Sequence, residues 1–329
     1  MKKVLLFDTA LGTSNNGDEI IFDSVKSGLR PVLSNALCFR LATHIENYSP
    51  FQMLHPGRKL SSICFQADYK FVCGTNLLVN NFLRVRPQWW IHRSNAKIYE
   101  NSILVGVGKH DNYTEIKNQY TKDLYKRVLS SDYKHSVRDE ATKDIVESLG
   151  FKAINTGCPT LWMFDEQKCK SIPAGKAENV IFSVSGYSYQ QDPEKDRQML
   201  DCLIKHYNQC YAWIQTTDDE AYLHQLLNGI NTPPINCIYS LMRFEDVLNQ
   251  GNVDYVGTRL HGGVFAMQHN ARSIIISIDQ RAEGFYESNN IPIVRREDVS
   301  ELGERIESSF ETNIRVNHEG ITSFVSQFI

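Results

Sequence analysis

Arg259 and His261 stand in the stretch "DYVGTRLHGGVFAMQHNARSIIISID", Asp254 to Asp279, at a turn between two apolar runs. A guanidinium presents a planar fork of donors that matches carboxylate or phosphate. An imidazole carries a proton that moves near neutral pH. Gly262 and Gly263 follow directly, and small residues at a helix start leave N–H groups open to an anion. The set suits a small ligand that bears both phosphate and carboxylate. A plainer reading is also open, in which Arg259 pairs with a carboxylate and His261 caps the turn.

Other loops carry weaker chemistry. In "SNNGDE", Ser14 to Glu19, the residues Asn15, Asn16 and Gly17 suit a turn that hydrogen-bonds a sugar. Asp18 either caps the next helix or receives a hydroxyl proton. "CGTNLL" offers Gly74, Thr75 and Asn76, a small-residue turn that lets a ligand approach the backbone. In "SVRDEAT", Arg138 either pairs with Asp139 or brings charge to a substrate. Arg281 in "DQRAEGF" is a second cation near the first stretch, or an exposed loop charge. Trp89 and Trp90 in "RPQWWIHR" are core, or a flat wall on which a sugar ring stacks. "VSGYSYQQD", Val184 to Asp192, sets tyrosines after a strand, where they could line a cleft.

These loops gain meaning from the elements around them. Val4–Phe7, Tyr69–Gly74, Ile103–Gly108, His135–Asp139 and Ala153–Pro159 read as short strands and their turns. Asp18–Leu29, Ile116–Leu129 and a pattern through Ala141, Ile145, Val146 and Leu149 have helical spacing. A polar stretch without periodicity, Asp165 to Asn179, is the best linker. The alternation then restarts with strands at Val180–Val184, Cys210–Gln215, Ile235–Ser240 and Asp254–Val256, and with helices around Met199–Tyr207, Asp219–Leu227, Phe244–Leu248 and Val264–His269. Further helical patterns run from Asp298 to about Phe310 and near Phe324. Strands alternating with helices predict βαβ units and parallel sheets. The fold class is therefore α/β, with two Rossmann-like doubly wound domains facing across a cleft. The expected bounds are 1–168, 169–310, and a closing segment 311–329 that packs back on the first domain. Ligands of such folds sit beyond the carboxyl ends of the strands, where the loops above fall, the tryptophan run aside.

Composition narrows the class. With 329 residues and a net charge of −3, the chain lacks the basic excess of a nucleic-acid binder. Eight cysteines without a CxxC pair or zinc-site spacing indicate reduced thiols and no metal site. The expected compartment is the cytoplasm. Asp8 interrupts the opening apolar run too early for a secretory signal. No run reaches a membrane span, which leaves work at the inner face of a membrane open.

The ordered set "NNGDE", "CGTNLL", "SVRDEAT", "TGCPTL" and "GTRLHGGVFAMQHN…DQRAEGF" resembles the polysaccharide pyruvyl transferase family. The resemblance implies a GT-B-like arrangement, with the acceptor on the first domain and phosphoenolpyruvate on the second. It implies a sugar acceptor, free, nucleotide-linked or lipid-linked, and a ketal product with release of phosphate. No cofactor is implied, because arginines carry the charge. Arg259, Leu260 and His261 match the place where that family engages the donor. The roles that follow are His261 as general acid, Arg259 as anion clamp and Asp18 as base. Asn16, Gly17, Gly74, Thr75, Asn76, Arg138, Gly262, Gly263 and Arg281 become substrate contacts. Where the family usually has Gly-Asp-Pro, this chain has Gly157, Cys158 and Pro159. Two alternatives stand beside this reading: a sugar-nucleotide glycosyltransferase on the same scaffold, and an inactive relative that binds glycan.

Overall fold

The computed structural model describes residues 1–48, 64–83, 87–110, 112–229 and 234–329. Arg86 of the tryptophan run lies outside them. The chain divides into two compact units, one of Met1–Thr13, Ile21–Trp162 and Asn317–Ile329, the other of Ser14–Ile20 and Met163–Val316.

In the first unit, β1 (Lys2–Asp8), β2 (Ala36–Ala42), β3 (Tyr69–Cys73) and β4 (Ser102–Val105) form a parallel sheet in the order β2-β1-β3-β4. The pair β5 (His135–Val137) and β6 (Ala153–Asn155) continues the row through a bridge between Val107 and Val137. Every residue of β3 and β4 is buried, as expected where both faces of a parallel sheet are covered. One apolar cluster gathers Leu5, Phe7, Val72 and Leu104, and the other gathers Val4, Leu6, Phe71 and Ile103. Strand β2 is a finding that periodicity did not predict. It lies at the sheet's edge, and most of its side chains are not buried.

The second unit is a six-stranded parallel sheet. Its strands are β7 (Asn179–Ser183), β8 (Gln209–Trp213), β9 (Asn236–Ile238), β10 (Val253–Gly257), β11 (Ser273–Ser277) and β12 (Ile293–Arg295), in the order β12-β11-β10-β7-β8-β9. Read from β9, this is the doubly wound order 3-2-1-4-5-6, whose direction reverses between β7 and β10. The carboxyl ends of those two strands therefore flank the unit's natural ligand position. The two strands lie in register there, Gly257 opposite Ser183. A Cβ on Gly257 would stand 2.5 Å from the backbone nitrogen of Ser183, so only glycine permits that approach.

Three expectations change. The division after Trp162 precedes the expected 168/169 boundary, because the presumed linker is structured. It holds a helix, Glu166–Lys170, bound into the second unit where Lys168 Nζ donates to the Gln268 carbonyl (2.6 Å). Residues 311–316 stay with the second unit, and the segment that joins the first unit is Asn317–Ile329. Residues Ser14–Ile20 group with the second unit although their sequence neighbours belong to the first.

Candidate functional site

Arg259 follows β10 and precedes the helix Leu260–Gln268. Its backbone is clamped on both sides. Its N–H donates to Ser183 Oγ (3.0 Å), and its carbonyl accepts from the Tyr255 hydroxyl (2.8 Å). Arg259 is 6% exposed, and its side chain meets a carboxylate, as the plainer reading anticipated. Nε donates to Asp219 Oδ2 (3.0 Å), and Nη2 donates to Asp219 Oδ1 and to Thr216 Oγ1 (3.1 Å). The guanidinium carbon lies 4.4 Å from the ring centre of Tyr187.

Asp219 went unnoticed as a functional residue in the sequence. It is the third residue of the helix Thr217–Leu227, and its carboxylate also accepts from the N–H groups of Gly186 (2.8 Å), Thr216 (3.1 Å) and Gln215 (3.2 Å). The signal was the Thr-x-x-Asp spacing after β8, a capping box that the structure closes at Thr216 and Asp219.

The glycines after His261 do not open the helix. They lie inside it, since it starts at Leu260. The Gly263 N–H is used within the helix, donating to the Arg259 carbonyl (3.2 Å). A Cβ on Gly263 would stand 2.0 Å from Ile275 Cδ1, and one on Gly262 would stand 2.8 Å from the Tyr255 hydroxyl. Both glycines let the helix press onto the sheet, and the internal bond of the Gly263 N–H removes that group as an open anion donor. Leu260 is buried at the helix's first position. His261 is 8% exposed, edge-on to Phe285 with ring centres 6.4 Å apart.

Arg281 sits in a helix, Gln280–Asn289, where a loop was expected. It donates from Nη2 to Asp279 Oδ2 (3.1 Å), and Asp279 caps that helix through Arg281 N and Ala282 N. Burial works against the charged Asp279 carboxylate, yet Arg281 and the two amides hold its pKa below the usual value. Asp279 also accepts from Gln190 Nε2 (3.0 Å).

The turn Asn15–Gly17 joins this same carboxyl edge. Asn16 N donates to the Gln215 carbonyl (3.1 Å), its Nδ2 donates to the Tyr239 carbonyl (3.2 Å), and Gln215 Nε2 donates to Asn15 Oδ1 (2.8 Å). A Cβ on Gly17 would stand 2.8 Å from Gln215 Nε2. Asn15 Oδ1 accepts from Gly17 N (2.9 Å), so Asn15 serves the turn that Asp18 was expected to cap. Asp18 is buried in the first turn of the helix Gly17–Gly28.

The remaining residues belong to the first unit. Gly74 and Thr75 both take positive φ, 64° and 52°, after β3. Arg138 follows β5, its Nε 3.7 Å from Asp139 Oδ2. A Cβ on Gly108 would lie 2.8 Å from the Arg138 guanidinium carbon and 3.0 Å from Asn76 Oδ1, so this glycine gives both side chains their room. Asn76 Oδ1 is buried with no hydrogen-bond partner among the described residues. Cys158 is buried, and its sulfur accepts from Thr160 Oγ1 (3.2 Å). All eight cysteines are free thiols. Trp89 is fully buried, which removes it as a stacking surface, whereas Trp90 is 39% exposed. Among the described residues no group of three or more His, Cys, Asp or Glu side chains could hold a metal ion. No helix among them is long and apolar enough to cross a membrane.

The family model described as polysaccharide pyruvyl transferase matches residues 15–280. No curated protein matches the chain in sequence. Among solved structures it is similar to the UDP-GlcNAc 2-epimerase of Methanocaldococcus jannaschii, with a TM-score of 0.59 and 12% identity over 99% of each chain. It is also similar to MnaA of S. aureus, solved with UDP, at a TM-score of 0.53 and 12% identity over 100% of this chain and 98% of that one. Alr3699/HepE of Anabaena, solved with UDP and glucose, gives a TM-score of 0.50 and 11% identity over 99% and 93%. At such identity the likeness establishes the fold, an α/β chain of two Rossmann-like units of the GT-B type.

Proposed function

The chain belongs to the polysaccharide pyruvyl transferase family, and from that premise we propose that it transfers the pyruvyl group of phosphoenolpyruvate to a sugar of a polysaccharide or its precursor, forming a ketal. The observation that carries this reading is Arg259. It stands at the switch point of the second unit, oriented by Asp219, Thr216 and Tyr187. A preoriented guanidinium stabilises anionic charge without reorganising during the reaction.

In the proposed sequence His261 gives a proton to the methylene carbon, which becomes a methyl group. The cation left on the central carbon is captured by one sugar hydroxyl, whose proton passes to Asp18. The bond from that carbon to the phosphate oxygen breaks, and phosphate departs with the proton that Asp18 took up. A second hydroxyl then adds to the same carbon, closes the ketal ring and returns a proton to His261. Arg259 holds the donor's carboxylate or phosphate, with Arg281 as a secondary charge partner. Asn16 and Gly17 in the second unit are substrate contacts in this reading, and Gly74, Thr75, Asn76 and Arg138 are those assigned within the first. The cytoplasm is the compartment we infer, at the inner membrane face where the acceptor is lipid-linked.

Phosphate release from phosphoenolpyruvate with a glycan panel, followed by mass spectrometry for a ketal adduct, tests the reading. His261→Ala is expected to stay folded and lose roughly 10²–10⁴-fold in rate. Arg259→Lys is expected to lose donor affinity, because a point charge does not replace a fork. Thermal protection by a nucleotide-sugar but not by phosphoenolpyruvate would overturn the proposal in favour of a glycosyltransferase.

A further inference from the structure

Tyr189 is 81% exposed, the most exposed aromatic ring among the described residues. It is not a loose side chain. It stacks on Tyr187 with ring centres 5.8 Å apart and planes 3° from parallel, and Tyr187 in turn lies against the Arg259 guanidinium. The result is a three-layer ladder that leads from the switch-point arginine out to solvent. The turn that carries the ladder is tied down at each end. Gln190 N donates to the Tyr187 carbonyl (2.8 Å), and Gln190 Oε1 accepts from Ser185 Oγ (2.6 Å). Gln191 Nε2 donates to the Gly186 carbonyl (2.7 Å), and Arg296 Nη1 donates to the Gln190 carbonyl (2.6 Å).

An aromatic ring aligned by a stacked neighbour offers a flat apolar surface at low ordering cost to a ligand with a flat apolar face. Tyr189 lies parallel to Tyr187 but offset from it, which leaves most of its ring on offer. We propose that the Tyr187–Tyr189 stack is a platform for a pyranose ring of the acceptor glycan, binding the sugar's apolar C–H face beside the donor position. The proposal rests on the pyruvyl-transfer reading for the sugar's identity as acceptor. It gives the specificity for sugar rings to the turn after β7, a role that Trp89 cannot fill from the core.

Two measurements keep the proposal separate from the reaction. Saturation-transfer NMR with the methyl glycosides of glucose, galactose and mannose reads binding without catalysis. Wild type is expected to transfer saturation to ring C–H protons of at least one glycoside, Tyr189→Ala to lose it, and Tyr189→Trp to keep it. In the coupled assay, Tyr189→Ala is expected to raise the acceptor KM about tenfold, the scale of one aromatic contact, while the donor KM stays put. The exposure of Tyr189 makes a folding defect easy to exclude by thermal melting. Unchanged glycoside transfer in Tyr189→Ala, or an unchanged acceptor KM in an active enzyme, overturns the platform and leaves pyruvyl transfer standing. Tyr189-dependent glycoside binding in a protein that forms no ketal upholds the platform and removes the donor reading.

Discussion

Asp219 neutralises Arg259 in a place that water scarcely reaches, the two side chains being 0% and 7% exposed. A buried pair of this kind adds little to stability as a pair, but removing one partner strands the other. Asp219→Asn keeps the shape and removes the charge. It should cost about 3–5 kcal/mol in the second unit's unfolding free energy. Phosphoenolpyruvate affinity should fall with it, since the fork loses the group that orients it. Denaturant titration and donor KM read the two effects, and a variant with wild-type values in both would remove Asp219 from the site. The sequence made Arg259 visible because arginine between strand and helix is chemically conspicuous. Asp219 was harder to see, since one acidic residue in a helix's first turn looks like any other cap, and only folding brings it 40 positions back to its arginine.

Elements decide what each glycine is for. A Cβ on Gly186 would stand 2.1 Å from the Asp218 backbone, at the start of the helix that bears Asp219. On Gly284, inside Gln280–Asn289, nothing lies within 4 Å. Gly186→Ala should push that helix start away and abolish donor binding, whereas Gly284→Ala should leave activity intact and stabilise by about 0.5–1 kcal/mol. Ligand titration and thermal melting distinguish them. His135 in β5 makes a pH-dependent case. Burial, partly opposed by its hydrogen bond to the Ser130 carbonyl, lowers its pKa to about 4. Between its ordinary value of 6.5 and about 4, the unfolded chain holds a proton that the folded chain refuses. Its contribution is complete above pH 6.5 and is lost as pH falls, by at most about 1.4 kcal/mol per pH unit. His135→Gln should flatten that slope by about one proton in denaturant midpoints measured across the window. Central strands such as β3 and β10 were legible because continuous apolar runs betray burial on both faces. Strand β2 was not, although only Arg40 interrupts its apolar run Ala36–Ala42, because no alternation marks it as the half-open edge that the structure shows. The helix Gln280–Asn289 read as a loop because its cap, Asp279, and its Arg281 both resemble loop charges.

At the scale of the molecule, the chain's order and its packing disagree twice. Ser14–Ile20 leaves the first unit's sequence to join the second, and Asn317–Ile329 leaves the second to complete the first. Alternation announced two α/β units and a closing segment that returns to the first, whose start the structure moves from 311 to Asn317, but no local pattern marks the crossing of Ser14–Ile20 or the 162/163 boundary. The closing segment is substantial. Phe328 is 2% exposed, its ring centre 5.3 Å from Tyr69, 5.0 Å from Phe71 and 5.2 Å from Tyr133. Phe328→Ala should therefore cost the first unit about 3–5 kcal/mol, measured by unfolding, and glycoside binding at Tyr189 should survive the change. The same segment sets an order of events during biosynthesis. The ribosome delivers Met163–Val316 before the first unit's last aromatic residues exist. At about 5–20 residues per second, the nascent amino-terminal half waits on the order of ten seconds with a greasy socket open at Tyr69, Phe71 and Tyr133. That interval is when a chaperone has most to protect.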